Sequence, residues 1–297
     1  NDLFDLNIAI DFGTKDNKLI SYATGYFSYL GTAEKAAAQI RKELYDLACS
    51  ASVGAAGEKL YISVSGLSEN MEAALAVIED KIANVKGDDA VLANYKGNIF
   101  RQRVNSKTSQ RSCYSMLTQY INYGKDVNRN VLSNAEIQAL TSDQLLAEIK
   151  NASKYEQMIT YYGPMEMADV IAVVEKHHNI PEKLEKYPKQ ENLKLQVVND
   201  PKVVIAPYNA KQIYMSQYSN TGETFNPAEN RGAIIRMYNE YFGGGMNSIV
   251  FQEMREARGL AYTANARYVT PGKKAETYNF NTFIATQNDK MMDAVNA

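Results

Sequence analysis

A short pattern occurs twice in this chain, and an internal repeat limits the possible folds more than any other feature. Tyr29-Leu30-Gly31 lies over Tyr241-Phe242-Gly243 at an offset of 212. Leu47–Ala51 lies over Leu260–Ala264 at an offset of 213, and Met71–Leu75 over Met291–Val295 at 220. The drift is what small loop insertions produce. The chain reads as two copies of one unit of about 200 residues. Residues 1–190 form the first copy and 191–297 the second. The second is expected to be incomplete, since its copy of the pattern reaches Val295 with only Asn296 and Ala297 beyond.

The coarse periodicities support an α+β class, with helices packed on an antiparallel or mixed sheet. Residues 5–12 alternate polar and apolar and read as a strand. Residues 17–29 read as a helix. Thr32 is expected to cap the next helix, with Ile40, Leu44 and Leu47 on its apolar stripe. Strands follow at 50–55 and 59–67. Asn70 is expected to cap a helix carrying Met71, Ala74, Leu75, Ile78 and Ile82. A long helical region over 88–153 breaks near Gly124, Ser133 and Thr141. Gln157–Tyr162 reads as a strand and Met165–His178 as a helix. The charged, aperiodic stretch Pro181–Asn192 is the expected linker. A new β pattern opens at Val197–Ile205 and continues at Gln212–Ser219. Helix 227–242 and strands 262–269 and 276–285 complete the reading.

The chain is 45% hydrophobic and 22% charged, ordinary for a globular protein. Its formal net charge of −2 argues against nucleic acid as the main partner. No apolar run is long enough to span a bilayer, which takes about 18 residues. Cys49 and Cys113 make neither a disulfide framework nor a zinc knuckle. Neither they nor the composition fixes a compartment, and periplasm and cytoplasm both stay open.

Phe242–Tyr262 carries the chemistry. Three glycines, Gly243, Gly244 and Gly245, form a turn. A short helix carrying Arg255 follows and ends at Gly259, and a strand is entered at Tyr262. A helix end followed by a strand can aim a guanidinium and a phenol at one point. Such a pair suits a peptide carbonyl or the oxyanion it becomes. The glycines could also be read against phosphate loops. No lysine follows them as a P-loop requires, and Ser248 stands where a dinucleotide fingerprint needs its third glycine.

The Gly-Gly-Gly turn, the Arg-x-x-x-Gly-Leu-x-Tyr ending and their separation resemble the substrate-gripping motif of the pitrilysin/insulinase zinc peptidases. That family includes the mitochondrial processing peptidases. The resemblance implies a pitrilysin/LuxS-like metallohydrolase fold, with about six strands flanked by helices in each unit. It also implies that Arg255 and Tyr262 bind substrate, with Gly243, Gly244 and Gly245 letting its backbone pass.

In the family's catalytic half an inverted zinc motif, His-x-x-Glu-His, precedes a Leu-Gly-Thr-like turn. Counted back from Gly31-Thr32, its positions here are Tyr22, Gly25 and Tyr26. Neither a zinc ligand nor a general base remains, so the first unit resembles the family's degenerate repeat. His177 and His178 are the only histidines. Adjacent helical residues point about 100° apart and cannot share a metal well. They are expected at a helix C-terminus, where positive charge is favourable.

The resemblance thus implies the C-terminal part of a zinc endopeptidase, with zinc held by a separate or fused N-terminal half. Peptide substrate and that half are the expected partners, and this chain alone is expected to be inactive. The alternative is a non-catalytic subunit or scaffold that binds peptide or a partner.

Overall fold

The computed structural model describes residues 2–191, 193–274 and 276–297. The chain forms two compact units: residues 1–102 with 129–192, and residues 103–128 with 193–297. Residues 103–128 precede the linker in sequence but pack within the second unit.

The first unit is built on strands β1 (Leu3–Ile10), β2 (Cys49–Ala56), β3 (Lys59–Leu67) and β4 (Gln157–Tyr162). Their order is β2-β3-β1-β4, and every pair is antiparallel. Phe4, Leu6, Ile8 and Ile10 alternate along β1 and are all buried, as a strand with one covered face demands. That face meets α1 (Ile20–Phe27), α2 (Ala37–Asp46) and α3 (Met71–Asn84), which supply Ile20, Phe27, Ile40, Leu44, Met71 and Leu75 to one core. Fully burying each such side chain stabilises the fold by about 1.5–3 kcal/mol.

Next come α4 (Asp89–Lys107), which begins in the first unit and ends in the second, and α5 (Gln110–Tyr123) of the second unit. The first unit resumes with α6 (Asn134–Ala139), α7 (Ser142–Lys150) and α8 (Met167–His177). The breaks expected at Ser133 and Thr141 are N-caps. Each hydroxyl accepts from the backbone three residues on, while Glu136 and Gln144 reach back to the cap amides.

Local polar residues depart from expectation in several places. Thr32 accepts from the amides of Glu34 and Lys35 in the preceding turn, and α2 starts only at Ala37. Asn70 donates to the Leu47 carbonyl at 2.8 Å instead of capping α3. A further break, at Thr108–Ser109, separates α4 from α5, with Ser109 as the cap. The expected linker is fastened to the first unit. Tyr187 stacks on Phe12 at 4.4 Å, Glu185 and Lys154 share a backbone bond of 2.8 Å, and Lys189 reaches Asp16 at 3.1 Å. Asn192, the last residue of that stretch, lies outside the described residues.

The second unit contains β5 (Gln212–Ser219), α9 (Gly232–Phe242), α10 (Ile249–Phe251), β6 (Ala261–Val269), β7 (Asn279–Gln287) and α11 (Met291–Asn296). The sheet order is β5-β7-β6, again antiparallel. Read in chain order, it repeats the β1-β3-β2 arrangement of the first unit. Helix α5 covers one face of it, where Tyr114 meets Tyr214 at 5.6 Å and Phe283 at 5.5 Å. The strand expected at Val197–Ile205 is absent. Pro201 lies within this stretch and Pro207 just beyond it, neither offering an amide to a ladder, and Val203 and Ile205 are 85% and 79% exposed. Among the described residues the sheets have four and three strands, fewer than the six or so that the resemblance implies. No described helix is long and apolar enough to cross a membrane.

Candidate functional site

Helix α10 lasts a single turn. Ser248, almost fully buried, caps it by accepting from the Phe251 amide at 3.3 Å. Over Gln252–Ala257 the backbone widens into a π-helical turn, a local form often found at functional positions. The widening shows in how the helix closes. The Gly259 amide returns to the Arg255 carbonyl at 3.2 Å, and the Leu260 amide to the Met254 carbonyl at 2.8 Å. The second bond spans one residue more than the usual helix-ending pair. Gly259 makes the turn with φ +57°, a conformation that costs most other residues about 1–2 kcal/mol.

The chain then enters β6 through a bulge. Ala261 pairs with Thr286 and Thr263 with Ala285, so Tyr262 is the extra residue. A bulge re-aims a side chain, and Tyr262 is 74% exposed. Two bonds hold this corner: Thr286 Oγ1 donates to the Leu260 carbonyl at 2.5 Å, and Lys290 Nζ to the Gly259 carbonyl at 3.0 Å.

Arg255 and Tyr262 meet as a result. The guanidinium lies 4.6 Å from the Tyr262 ring centroid and 5.0 Å from that of Phe251. Two ring faces therefore hold the cation, in contacts worth about 0.5–1 kcal/mol each at exposed sites. A guanidinium held over rings keeps N–H donors for other partners. Glu256 lies 3.5 Å from Nε. The pair presents one fixed cation and one phenol to solvent, a combination that can donate to a carbonyl oxygen from two directions. Phe251, Thr286 and Lys290 had not been singled out from sequence. Phe251 could have been, since it stands four residues before Arg255, the spacing of one helical face.

The three glycines have different neighbours. A Cβ on Gly243 would enter the β6 backbone at Ala266, so α9 ends against that strand. One on Gly244 would meet the Asn239 carbonyl at 2.8 Å. One on Gly245 would find only the Glu240 carboxylate, at 3.7 Å.

Tyr22, Gly25 and Tyr26 all lie on α1 and face an aromatic cluster. The Tyr26 ring is fully buried. Its hydroxyl is 2.7 Å from Ser142 Oγ and 2.8 Å from both the amide and the carbonyl of Asp88. Tyr95 of α4 fills the space a side chain at Gly25 would need. Burial, and then the neighbouring Tyr22 and Tyr29, push the Tyr95 phenol up to about 12. Zinc takes thiolate, imidazole or carboxylate ligands. A glycine and two tyrosines supply none of these ligands at the three positions. No group of three or more His, Cys, Asp or Glu among the described residues is arranged to hold a metal.

The histidines end α8. His177 Nε2 lies 3.1 Å from Glu72, and the buried His178 lies 2.7 Å from Glu79 and 3.1 Å from Gln157. Both carboxylates belong to α3, seven residues apart on one helical face, so the two rings point to different partners. Lys176, and after it His177, hold the Glu72 carboxyl below the usual range.

None of the known sequence families matches this chain, and no curated protein matches its sequence. Solved structures do match. A peptidase M16 inactive domain from Pseudomonas fluorescens aligns over 99% of this chain and 72% of its own, with a TM-score of 0.75 at 18% identity. The fold is that of a peptidase M16, or pitrilysin, domain. The ferredoxin protease FusC, solved in complex with Arabidopsis ferredoxin, aligns over the whole chain with a TM-score of 0.79 at 12% identity. The periplasmic protease PqqL from Escherichia coli does so with 0.74 at 14%. The chain spans 32% of the length of FusC and 33% of PqqL.

Proposed function

We propose that this chain is the substrate-gripping part of an M16-type zinc endopeptidase, and that Arg255 and Tyr262 hold the peptide. In this reading residues 1–190 are a degenerate repeat and 191–297 belong to a substrate-binding repeat. Zinc belongs to an N-terminal half, fused or separate, which is also the partner. The observation that carries the reading is the pairing of half-buried Arg255 with exposed Tyr262, held by a cation–ring contact and a bulge within an M16 fold.

In the M16 reading both groups donate to the carbonyl of the bond being cut, and they become more valuable as its oxygen gains charge. Proton transfer is assigned to the other half, since Gly25 stands where the general base would be. Of the three glycines, Gly245 has the space for substrate backbone, while Gly243 and Gly244 serve the α9–β6 junction.

The test uses the chain with its N-terminal half and an unstructured fluorogenic peptide. Arg255→Ala is expected to lower the rate about 10–100-fold, the loss of a charge-assisted bond of about 1.5–3 kcal/mol. Tyr262→Phe is expected to lower it about 5-fold. Zinc content should not change. Unaltered rates in both variants would reject the assignment.

A second reading is a non-catalytic subunit that binds peptide without chemistry. It is supported by the likeness to an inactive M16 domain. Under it the mixture stays inert, and Arg255→Ala weakens only peptide binding.

A further inference from the structure

A groove of about 540 Å³ opens in the first unit between residues 83–87, at the end of α3, and one side of α7. Its floor is apolar. Val85 and Leu146 are buried there, and Ala83 and Ala147 add methyl groups. Volume and lining are those of a cleft that takes a small organic ligand. The walls are fixed by the protein itself. The Lys86 amide donates to the Gly31 carbonyl at 3.1 Å, and Val85 forms an antiparallel bridge with Thr32. A side chain on Gly87 would collide with Ser142 Oγ, so this segment lies hard against the start of α7. Ser142 is held in turn by the Tyr26 hydroxyl at 2.7 Å.

Three charged side chains line the groove: Lys86, Asp143 and Lys150. Among the described residues none of the three has a hydrogen-bond or ion-pair partner for its side chain. Asn84, also at the rim, is already engaged by Asp80 at 2.7 Å. Asp143, Ala147 and Lys150 stand at i, i+4 and i+7, so they share one face of α7. Seven helical positions place the attachment points of the carboxylate and the ammonium about 10 Å apart along the groove. Lys86 comes from the facing wall. A complementary ligand has a positive end, a negative end about 10 Å away and an apolar body between them. An extended peptide of about three residues has that length, and its free termini have those charges. A single amino acid is too short to meet both.

We propose that this groove binds a short apolar peptide of about three residues with both termini free. Its ammonium lies at Asp143 and its carboxylate at Lys150. Lys86 donates to a backbone carbonyl, and the apolar side chains rest on Ala83, Val85, Leu146 and Ala147.

The test titrates the 15N-labelled chain with the tripeptide Ala-Ala-Leu and follows the amide resonances of Gly87, Ala147 and Lys150. Saturable shifts at these positions are expected. Lys150→Gln and amidation of the peptide should each weaken binding about 3-fold, and the two together no more than either alone. Asp143→Asn and N-acetylation should behave as a second such pair. Leucine alone is expected to bind at least about 10-fold more weakly, since it loses one end and most of the apolar contact.

Absence of saturable shifts at millimolar peptide overturns the proposal. So does equal affinity for the free and the doubly blocked peptide. Leucine binding as tightly as the tripeptide overturns it too, and makes a free amino acid the ligand. If the variants lower only the unfolding midpoint and leave tripeptide affinity unchanged, the charges serve the α7 dipole alone and the assignment fails. Arg255→Ala is expected to leave the titration as it is. Loss of the shifts in that variant would place the tripeptide at the Arg255–Tyr262 corner, whereas failure of the groove leaves the grip untouched.

Discussion

His178 Nδ1 lies 2.7 Å from Glu79 Oε1 inside the first unit, and the same ring reaches Gln157 through Nε2 at 3.1 Å. One imidazole thus ties α8 to α3 and to the first residue of β4. The Gln157 side-chain nitrogen is the buried polar atom left without a hydrogen-bond partner there. With Oε1 facing the ring, His178 must donate from Nε2. With the amide turned over, the nitrogen would gain a partner and His178 would accept.

His178→Ala is therefore expected to destabilise the protein by about 2–4 kcal/mol, because it leaves a cavity and a poorly solvated carboxylate together. His177→Ala, at a more exposed pair, should cost under about 1 kcal/mol. Urea unfolding of the two variants checks the contrast. Similar losses would show that the buried ring does not join the helices.

Lys81 lies on α3 at 8% exposure, with its ammonium 4.4 Å over the Phe27 ring. Burial, and then the charge of Arg41, lower its pKa to about 8 from 10.5. The unfolded chain keeps its proton up to the higher value. Below pH 8 both states are charged, and the cost of burying the charge is fully present. Between pH 8 and 10.5 the unfolded state binds more protons, so stability from this group rises with pH. Lys81→Met should stabilise the protein by about 1–2 kcal/mol at pH 7, after allowance for screening by solvent and the ring contact. That gain should fade from pH 8 upwards. Thermal unfolding of both proteins from pH 6 to 10 provides the check, and a constant gain would contradict the assignment.

Tyr26→Phe removes a hydroxyl that joins Ser142 and Asp88, leaving the buried Ser142 hydroxyl and the part-buried Asp88 backbone groups short of a partner. A loss of about 1–3 kcal/mol is expected. Gly25→His, offered as a step back towards a zinc motif, must displace Tyr95 and should unfold the first unit before it binds metal. Calorimetry with and without zinc checks this; a metal-dependent rise in midpoint would count against a closed site.

The glycine turn makes a graded prediction. Gly243→Ala drives a methyl into the Ala266 backbone and should cost more than about 2 kcal/mol, whereas Gly245→Ala has room and should cost under about 1 kcal/mol. If Gly245 lies beside bound peptide, its alanine variant should weaken peptide binding without altering stability. Equilibrium unfolding and fluorescence anisotropy with a labelled peptide separate the two effects.

Strong periodicity was legible in the chain. β4 and β5 have the bounds their alternation marks, and the Met71–Ile82 stripe faces the core, with Ile82 at its edge. Polar choices were less legible. Asn70 and Thr32 have the chemistry of caps, but a long-range carbonyl in one case and a local turn in the other took their hydrogen bonds. Val197–Ile205 alternates like a strand but has prolines on both sides of Val203 and Ile205 and no ladder partner. At the candidate site, the Arg255 and Tyr262 spacing could be read, and so could the stop at Gly259. The π-helical turn and the bulge could not, because each depends on register against β7 and has no local composition of its own.

The fastening of residues 185–190 has a practical side. Tyr187 closes over Phe12 and Tyr155, and Lys189 and Gln190 grip Asp16. A protease meeting the folded protein should spare Pro181–Gln190, despite its charge and prolines, and cut within the exposed run 199–207 instead. Anyone trimming the chain to isolate the first unit should keep Gln190, because a cut at Ile180 would uncover an aromatic surface and invite aggregation.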